Sequence, residues 1–160
     1  MRTGHAVTRR MQAREMGGYF GIAAYHIKTE VNIGTLLRSA HIFGAAFVAT
    51  VGKRYERQSS NTTKMERHIP LLHYADADDL LAHVPYDCQP VAVEITEAAR
   101  SLPQFTHPRR ALYILGPEDG SLPEKLLTQC TAIVKIPGTF CLNLAVAGSV
   151  VMYDRIAKSA

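Results

Sequence analysis

A chain of 160 residues is long enough for one domain with its own core, and 47% hydrophobic against 20% charged residues excludes a disordered or fibrous chain. Three cysteines, Cys88, Cys130 and Cys141, are odd in number and form no CxxC pair, which argues against a disulfide framework or a zinc site and makes a reducing cytoplasm the default. The net charge is +4, and residues 1–17, with four arginines against one glutamate, hold +3 of it.

In chain order, residues 1–17 read as a basic arm of weak helical character ending at Gly17-Gly18, and the domain proper as residues 18–160. GYFGIAAYHI is a short apolar run that predicts a buried strand. A helix follows over IGTLLRSAHIFGA, with Ile33, Leu36, Leu37, Ala40 and Phe43 near helical spacing, Asn32 as its cap and Gly44 as its stop. FVATVG is a second strand. Residues 53–70 are polar and basic and read as loop. LLHYA and DADDLLAHV read as strand and helix, with Asp76 as cap. VAVEIT is a strand, AARSLPQFTHP has turn chemistry, and ALYILG is a strand stopped at Gly116-Pro117. PEKLLTQC is a short helix, AIVKIP the last strand, and Leu142 to Lys158 the last helix. Strands alternating with helices predict an α/β domain, with a mostly parallel sheet covered on both faces. No apolar h-region follows the first residues, and the apolar stretch Leu142–Tyr153 is too short to span a bilayer.

Open α/β sheets bind ligands beyond the carboxyl ends of their strands, so the loops after VAVEIT, ALYILG and AIVKIP are the places to look. Taken singly, the turns Gly116–Pro123 and Pro137–Asn143, the second with Asn143 as a good N-cap, read more readily as capped turns than as ligand loops. Arg38 alone reads as a solvated surface arginine. The basic residues Lys53, Arg54, Arg57, Lys64 and Arg67 alone read as a solvated loop. The last helix is apolar nearly all round, and Ala145, Gly148 and Ser149 permit close approach of another helix. In so small a chain, a second copy is a natural cover for it.

Three segments, taken together, resemble the three motifs of the SpoU/TrmH methyltransferases. They are Asn32-Ile33-Gly34-Thr35-Leu36-Leu37-Arg38, then Gly116-Pro117-Glu118-Asp119-Gly120-Ser121-Leu122-Pro123, then Ile136-Pro137-Gly138 through Cys141-Leu142-Asn143 to Tyr153-Asp154. The second departs by one slip, Gly120 standing two residues after Glu118 rather than three. In the third, Cys141 replaces serine, Asp154 replaces glutamate, and the loop is shorter than in many relatives.

The resemblance implies an α/β domain with a C-terminal trefoil knot, a homodimer, and S-adenosylmethionine as cofactor, with no metal. It places the cofactor against Glu94, Thr96, Gly116, Gly120, Ile136, Gly138, Cys141, Leu142 and Leu144. It implies methyl transfer by in-line displacement to a ribose 2′-hydroxyl of RNA, tRNA first and rRNA as the alternative. Arg38 stands at the acceptor oxygen, commonly from the other subunit, with Asn32, Asn143 and Glu118 forming the network around it.

The ordinary pKa of a guanidine lies so far above pH 7 that freeing it of its proton there costs about 9 kcal/mol. Arg38 therefore either orients the acceptor through its phosphate or works as a base only after burial lowers its pKa. A domain with no separate RNA-binding module must grip RNA with its own surface. Arg9, Arg10 and Arg14 of the arm and Lys53, Arg54, Arg57, Lys64 and Arg67 are the candidates. Three rivals remain: a member of the same fold that binds RNA without transfer, an unrelated nucleotide-binding α/β enzyme, and a methyltransferase that acts on a base rather than the ribose. The second would need a GxGxxG or GxxxxGK[ST] loop, and neither occurs.

Overall fold

The computed structural model describes residues 18–55 and 64–159. Seven strands, β1 (Tyr19–Tyr25), β2 (Phe47–Val51), β3 (Leu71–Tyr74), β4 (Gln89–Val93), β5 (Arg100–Ser101), β6 (Arg110–Leu115) and β7 (Ala132–Lys135), form one sheet in the order β3-β2-β1-β6-β4-β7-β5. Every pairing is parallel. Among the described residues, four helices accompany the sheet: α1 (Glu30–Phe43), α2 (Ala77–Ala82), α3 (Glu124–Gln129) and α4 (Leu144–Ser159). The predicted α/β class with a parallel sheet is the observed one.

Alternation along the strands divides the core in two. Phe20, Ile22 and Ala24 of β1 and Tyr113 and Leu115 of β6 face α1 and α4, meeting Leu36, Leu37, Ala145 and Met152. Ala23 of β1 and Leu112 and Ile114 of β6 face the other way, toward Leu80 of α2 and Leu126 of α3. The strands are therefore buried on both faces, which is why β1, β2 and β6 read as continuous apolar runs.

Gly44 ends α1 in the left-handed conformation, and Asp76 caps α2 by accepting from the Asp79 N–H at 2.9 Å, both as expected. Three local expectations are corrected. α1 begins at Glu30 with Thr29 at its cap position, so Asn32 lies inside the first turn and its side chain is free for other partners. AARSLPQFTHP holds the edge strand β5 and a 3-10 turn, Leu102–Gln104, with Leu102 buried. Residues 53–70 include a 3-10 turn at Met65–Arg67.

The small residues of α4 serve a partner within the chain. Ser149 Oγ donates to Ser39 Oγ at 2.8 Å. A Cβ on Gly148 would stand 2.6 Å from Leu36 Cδ1, 3.0 Å from Leu115 Cδ1 and 3.1 Å from Ile22 Cδ1. The close approach that these residues permit is thus to α1 and the sheet, not to a second copy. Gly148→Val is expected to destabilise the domain by about 1–3 kcal/mol through overpacking. The measurement is the urea midpoint at unchanged slope; an unchanged midpoint would mean that α4 can shift away from α1 at no cost.

At the amino ends of the strands, α4 is tied down by a buried polar cluster. Arg155 donates to the Pro108 carbonyl at 2.7 Å, the Arg109 carbonyl at 2.9 Å and the Tyr113 hydroxyl at 3.0 Å, with its guanidinium 5.2 Å from the Phe20 ring centre. Burial lowers the His107 pKa against the opposing pull of Asp154, so the ring is neutral. Its Nε2–H then donates to Asp154 at 2.8 Å, and Nδ1 accepts from the Tyr113 hydroxyl at 2.6 Å. Burial alone would raise Asp154, but hydrogen bonds from Lys158 and His107 outweigh it and hold the carboxyl below its ordinary value.

A histidine whose folded pKa lies below its unfolded value of about 6.5 contributes stability that is full above that value and is lost as pH falls below it. The melting temperature is expected to decline from about pH 6.5 downward, with Asp154 adding its loss below about pH 4. His107→Gln should flatten the upper part of that decline; an equal slope in the variant would remove His107 from the account.

Candidate functional site

The parallel register brings three loops to one edge. Val93 pairs with Leu115 and with Val134, so the segments after β4, β6 and β7 leave the sheet side by side. They enclose a cleft of about 970 Å³, completed by Thr29 and Asn32 at the start of α1 and by Leu144 and Ala147 of α4. The strand order reverses around β1 and β6, and the cleft lies at the carboxyl end of that switch point.

Two carboxylates organise the walls. Glu94, the first residue after β4, accepts from the Leu122 N–H at 2.9 Å with one oxygen and from the Ile95 N–H at 3.0 Å with the other. It thereby braces the loop after β6 against the loop after β4. Gly116 makes room for this brace, since a Cβ there would stand 2.7 Å from Glu94 Oε2. Glu118 accepts from the Asn32 side-chain amide and, at 3.0 Å, from the Thr29 hydroxyl. Beside it, Lys28 and Asp119 form an exposed ion pair between the same two segments.

Asn32 relays this contact onward. Its side-chain oxygen accepts from Asn143 Nδ2 at 3.1 Å. Asn143 Oδ1 in turn accepts from the Ala145 N–H at 2.9 Å and the Val146 N–H at 3.3 Å, capping α4 as the sequence predicts. One polar chain, Glu118–Asn32–Asn143, thus links the loop after β6, the first turn of α1 and the start of α4. It crosses 86 and 111 residues of sequence in its two steps. Helix propensity would place a polar residue such as Asn32 at the cap; its use inside the first turn is explained by this tertiary partner.

Of the residues expected to hold a cofactor, Glu94, Gly116, Gly120, Ile136, Gly138, Cys141, Leu142 and Leu144 all line the cleft. Thr96 does not. Its carbonyl accepts from the Ala99 N–H at 3.2 Å in a turn that leads away toward β5, and its hydroxyl is buried without a partner. Asn32, Glu118 and Asn143 line the cleft too, whereas Arg38 is exposed on α1 outside it. Arg38 stands six positions after Asn32, about 9 Å along a helix axis. Thr29, Ile95, Lys135 and Phe140 line the cleft without having been singled out in the sequence. Only Thr29 had a local signal, as a hydroxyl residue just before a helical run.

The described cations of the basic segment fall into two places. Lys53 and Arg54 follow β2 at the cleft edge, where Lys53 Nζ donates to the Lys28 carbonyl at 3.1 Å. Lys64 and Arg67 precede β3 at the opposite edge, where His68 meets the His41 ring of α1 at 5.6 Å. All four cations are exposed. Arg9, Arg10, Arg14 and Arg57 lie outside the described residues. Among the described residues, no group of three or more His, Cys, Asp or Glu side chains could hold a metal ion, and no helix is long and apolar enough to cross a membrane.

Comparison with known proteins gives this arrangement a lineage. The chain is 27% identical over 143 residues to the tRNA (guanosine(18)-2'-O)-methyltransferase TARBP1 of Mus musculus, covering 83% of this chain and 9% of that one. It is 27% identical over 147 residues to an uncharacterized tRNA/rRNA methyltransferase of Archaeoglobus fulgidus, covering 86% of this chain and 64% of the relative. The chain therefore spans less than two thirds of either relative. Its fold is similar to that of the SpoU methyltransferase AviRb from Streptomyces viridochromogenes, solved in complex with the cofactor AdoMet. There the TM-score is 0.78 and the identity 20%, over 89% of this chain and 61% of that one. The model of the SpoU rRNA Methylase family matches residues 19–153, and with the parallel sheet and the cleft at its switch point this makes the chain a member of that family.

Proposed function

We propose that the chain is an RNA methyltransferase that uses S-adenosylmethionine to methylate a ribose 2′-hydroxyl, with tRNA as its substrate class. The observation that carries this reading is the Glu118–Asn32–Asn143 chain on the wall of the cleft, because it joins the residues of all three motifs in one hydrogen-bonded unit. The named relatives support it: one methylates a guanosine 2′-oxygen of tRNA, and the other is described as acting on tRNA or rRNA.

The cleft fits the cofactor in size and chemistry. A volume of about 970 Å³ is that of a small-molecule site, and Ile136, Leu142 and Leu144 give it apolar wall. Glu94 and Glu118 place two carboxylates on its lining against the single cation of Lys135, a balance that suits a positively charged ligand. Gly116, Gly120 and Gly138 present main chain without side-chain bulk. When bound, the cofactor supplies an electrophilic methyl group on a sulfonium. The protein must hold the acceptor ribose in line and relieve the 2′-hydroxyl of its proton, which passes to water as the oxygen takes the methyl and the sulfur keeps the C–S bonding pair.

The acceptor side requires Arg38, and α1 sets how it can arrive. Val31, Thr35, Arg38 and Ile42 recur at i, i+4, i+7 and i+11 and are all exposed, Val31 at 70% and Ile42 at 52%. On α4, Val146 and Tyr153 are exposed in the same spacing. A second copy docked over these stripes buries them and carries Arg38 to the partner's cleft, so the working unit is a homodimer. The partner's Arg38 holds the acceptor phosphate and ribose through its paired N–H groups, while Asn32 and Asn143 fix the 2′-oxygen. The segment from β6 to α4 forms the trefoil knot of the family, and the protein works in the cytoplasm.

Mass spectrometry of nucleosides from tRNA and rRNA, with and without the chain, tests this reading. A 2′-O-methylnucleoside that appears in tRNA only with the protein is expected. The same product in rRNA would move the substrate class, a methylated base would overturn the ribose assignment, and no new product would leave an RNA-binding protein without transfer. Removal of residues 2–14, with their four arginines, is expected to weaken tRNA binding and lower the salt slope by about 0.9 for each phosphate that is no longer neutralised. An unchanged slope would contradict a role for the arm.

A further inference from the structure

Resting on the reading above, we propose that Phe140 is a stacking platform for a nucleobase of the RNA substrate. It would be a positioning residue that sets the acceptor ribose over the cleft. Phe140 lines the cleft yet is 88% exposed. Phe20, Phe47 and Phe105 are buried, and Phe43 packs edge-on against Tyr153 at 6.2 Å. Phe140 is thus the one phenylalanine whose ring the fold does not use. Leaving it in water forgoes the burial that large apolar side chains otherwise gain.

Its backbone is held on both sides. The loop starts at β7, whose Val134 pairs with Val93, and ends at Asn143, whose side chain caps α4 and bonds Asn32. The ring therefore projects from an anchored loop, three residues from the acceptor network. The inner wall already has Ile136, Leu142 and Leu144 for the adenine of the cofactor, which leaves the outer ring to a second aromatic ligand. Every base offers a π face, so stacking here gives affinity and placement without reading sequence.

The chain contains no tryptophan, so Phe140→Trp introduces a single fluorescent reporter at the site. Its emission is expected to be quenched by hypomethylated tRNA from cells lacking the protein and to change little with S-adenosylhomocysteine alone. Phe140→Ala is expected to lower kcat/KM for that tRNA roughly 10- to 100-fold, chiefly through KM. Its affinity for S-adenosylhomocysteine should stay within about twofold, and Phe140→Tyr should recover most of the loss.

Quenching by S-adenosylhomocysteine alone would assign Phe140 to the adenine. Emission that shifts with protein concentration in the absence of RNA would assign it to self-association. No response to tRNA would remove the platform. Each of these overturns the inference while the methyltransferase reading stands. Wild-type protein that binds no S-adenosylhomocysteine and methylates no RNA overturns both.

Discussion

Replacing Asn143 by alanine is expected to lower methyl transfer by about 100-fold and stability by about 1 kcal/mol. The two losses have different origins. Stability falls because the side-chain oxygen caps α4 through the Ala145 and Val146 N–H groups. Transfer falls because the amide donates to Asn32, which in turn holds Glu118, so the first turn of α1 is released from the loop after β7. Asn143→Asp separates them. It keeps the capping acceptor at a helix N-terminus and recovers stability. It cannot donate to the Asn32 oxygen, so transfer stays low. Urea titration and single-turnover transfer read the two quantities. Recovery of both in the aspartate variant would contradict the network as a positioning device.

Arg38→Ala is expected to have the larger effect on turnover, about 100- to 1,000-fold in kcat. Stability should stay within about 0.5 kcal/mol, because the side chain is exposed and outside the core. Affinity for S-adenosylhomocysteine should be unchanged, since Arg38 serves the acceptor phosphate and ribose rather than the methyl donor. Co-folding Arg38→Ala chains with Asn143→Ala chains tests where Arg38 acts. If it serves the partner's cleft, each mixed dimer has one complete site, and a random mixture recovers about a quarter of wild-type activity. If it serves its own cleft, no mixed dimer has a complete site and the mixture stays inactive.

Much of the domain could be read from residues alone. The runs of β1, β2 and β6 are apolar because both faces of the sheet are covered, and that pattern survives in one dimension. The caps at Gly44, Asp76 and Asn143 are local chemistry and were equally readable. What escaped depends on tertiary partners. Asn32 looked like a cap because nothing in its neighbourhood announces Glu118, 86 residues away. The small residues of α4 looked like a docking face because Leu36, Ser39 and Leu115 lie far off in sequence. β5 has two residues and pairs only with β7, too short a segment for any period to mark.

In the site, the motifs pointed to Gly116, Glu118 and Asn143 and the family resemblance to Glu94, and the cleft brings all four together. They did not reveal that the Glu94 carboxylate braces two loops through main-chain N–H groups, since a brace leaves no spacing in the chain. Nor did they mark Phe140, whose significance is its exposure. The basic stretch 53–67 shows the converse. Its described cations are near in sequence but divided between opposite edges of the sheet, Lys53 and Arg54 after β2 and Lys64 and Arg67 before the parallel β3.

Isothermal titration of the purified chain with S-adenosylhomocysteine asks whether the cleft between the strand-end loops is a methyl-donor site. One binding event per chain is predicted, weakened at least tenfold by Gly116→Val, whose side chain would displace Glu94 from the Leu122 N–H. No heat at any accessible concentration, or binding that Gly116→Val leaves untouched, would contradict it.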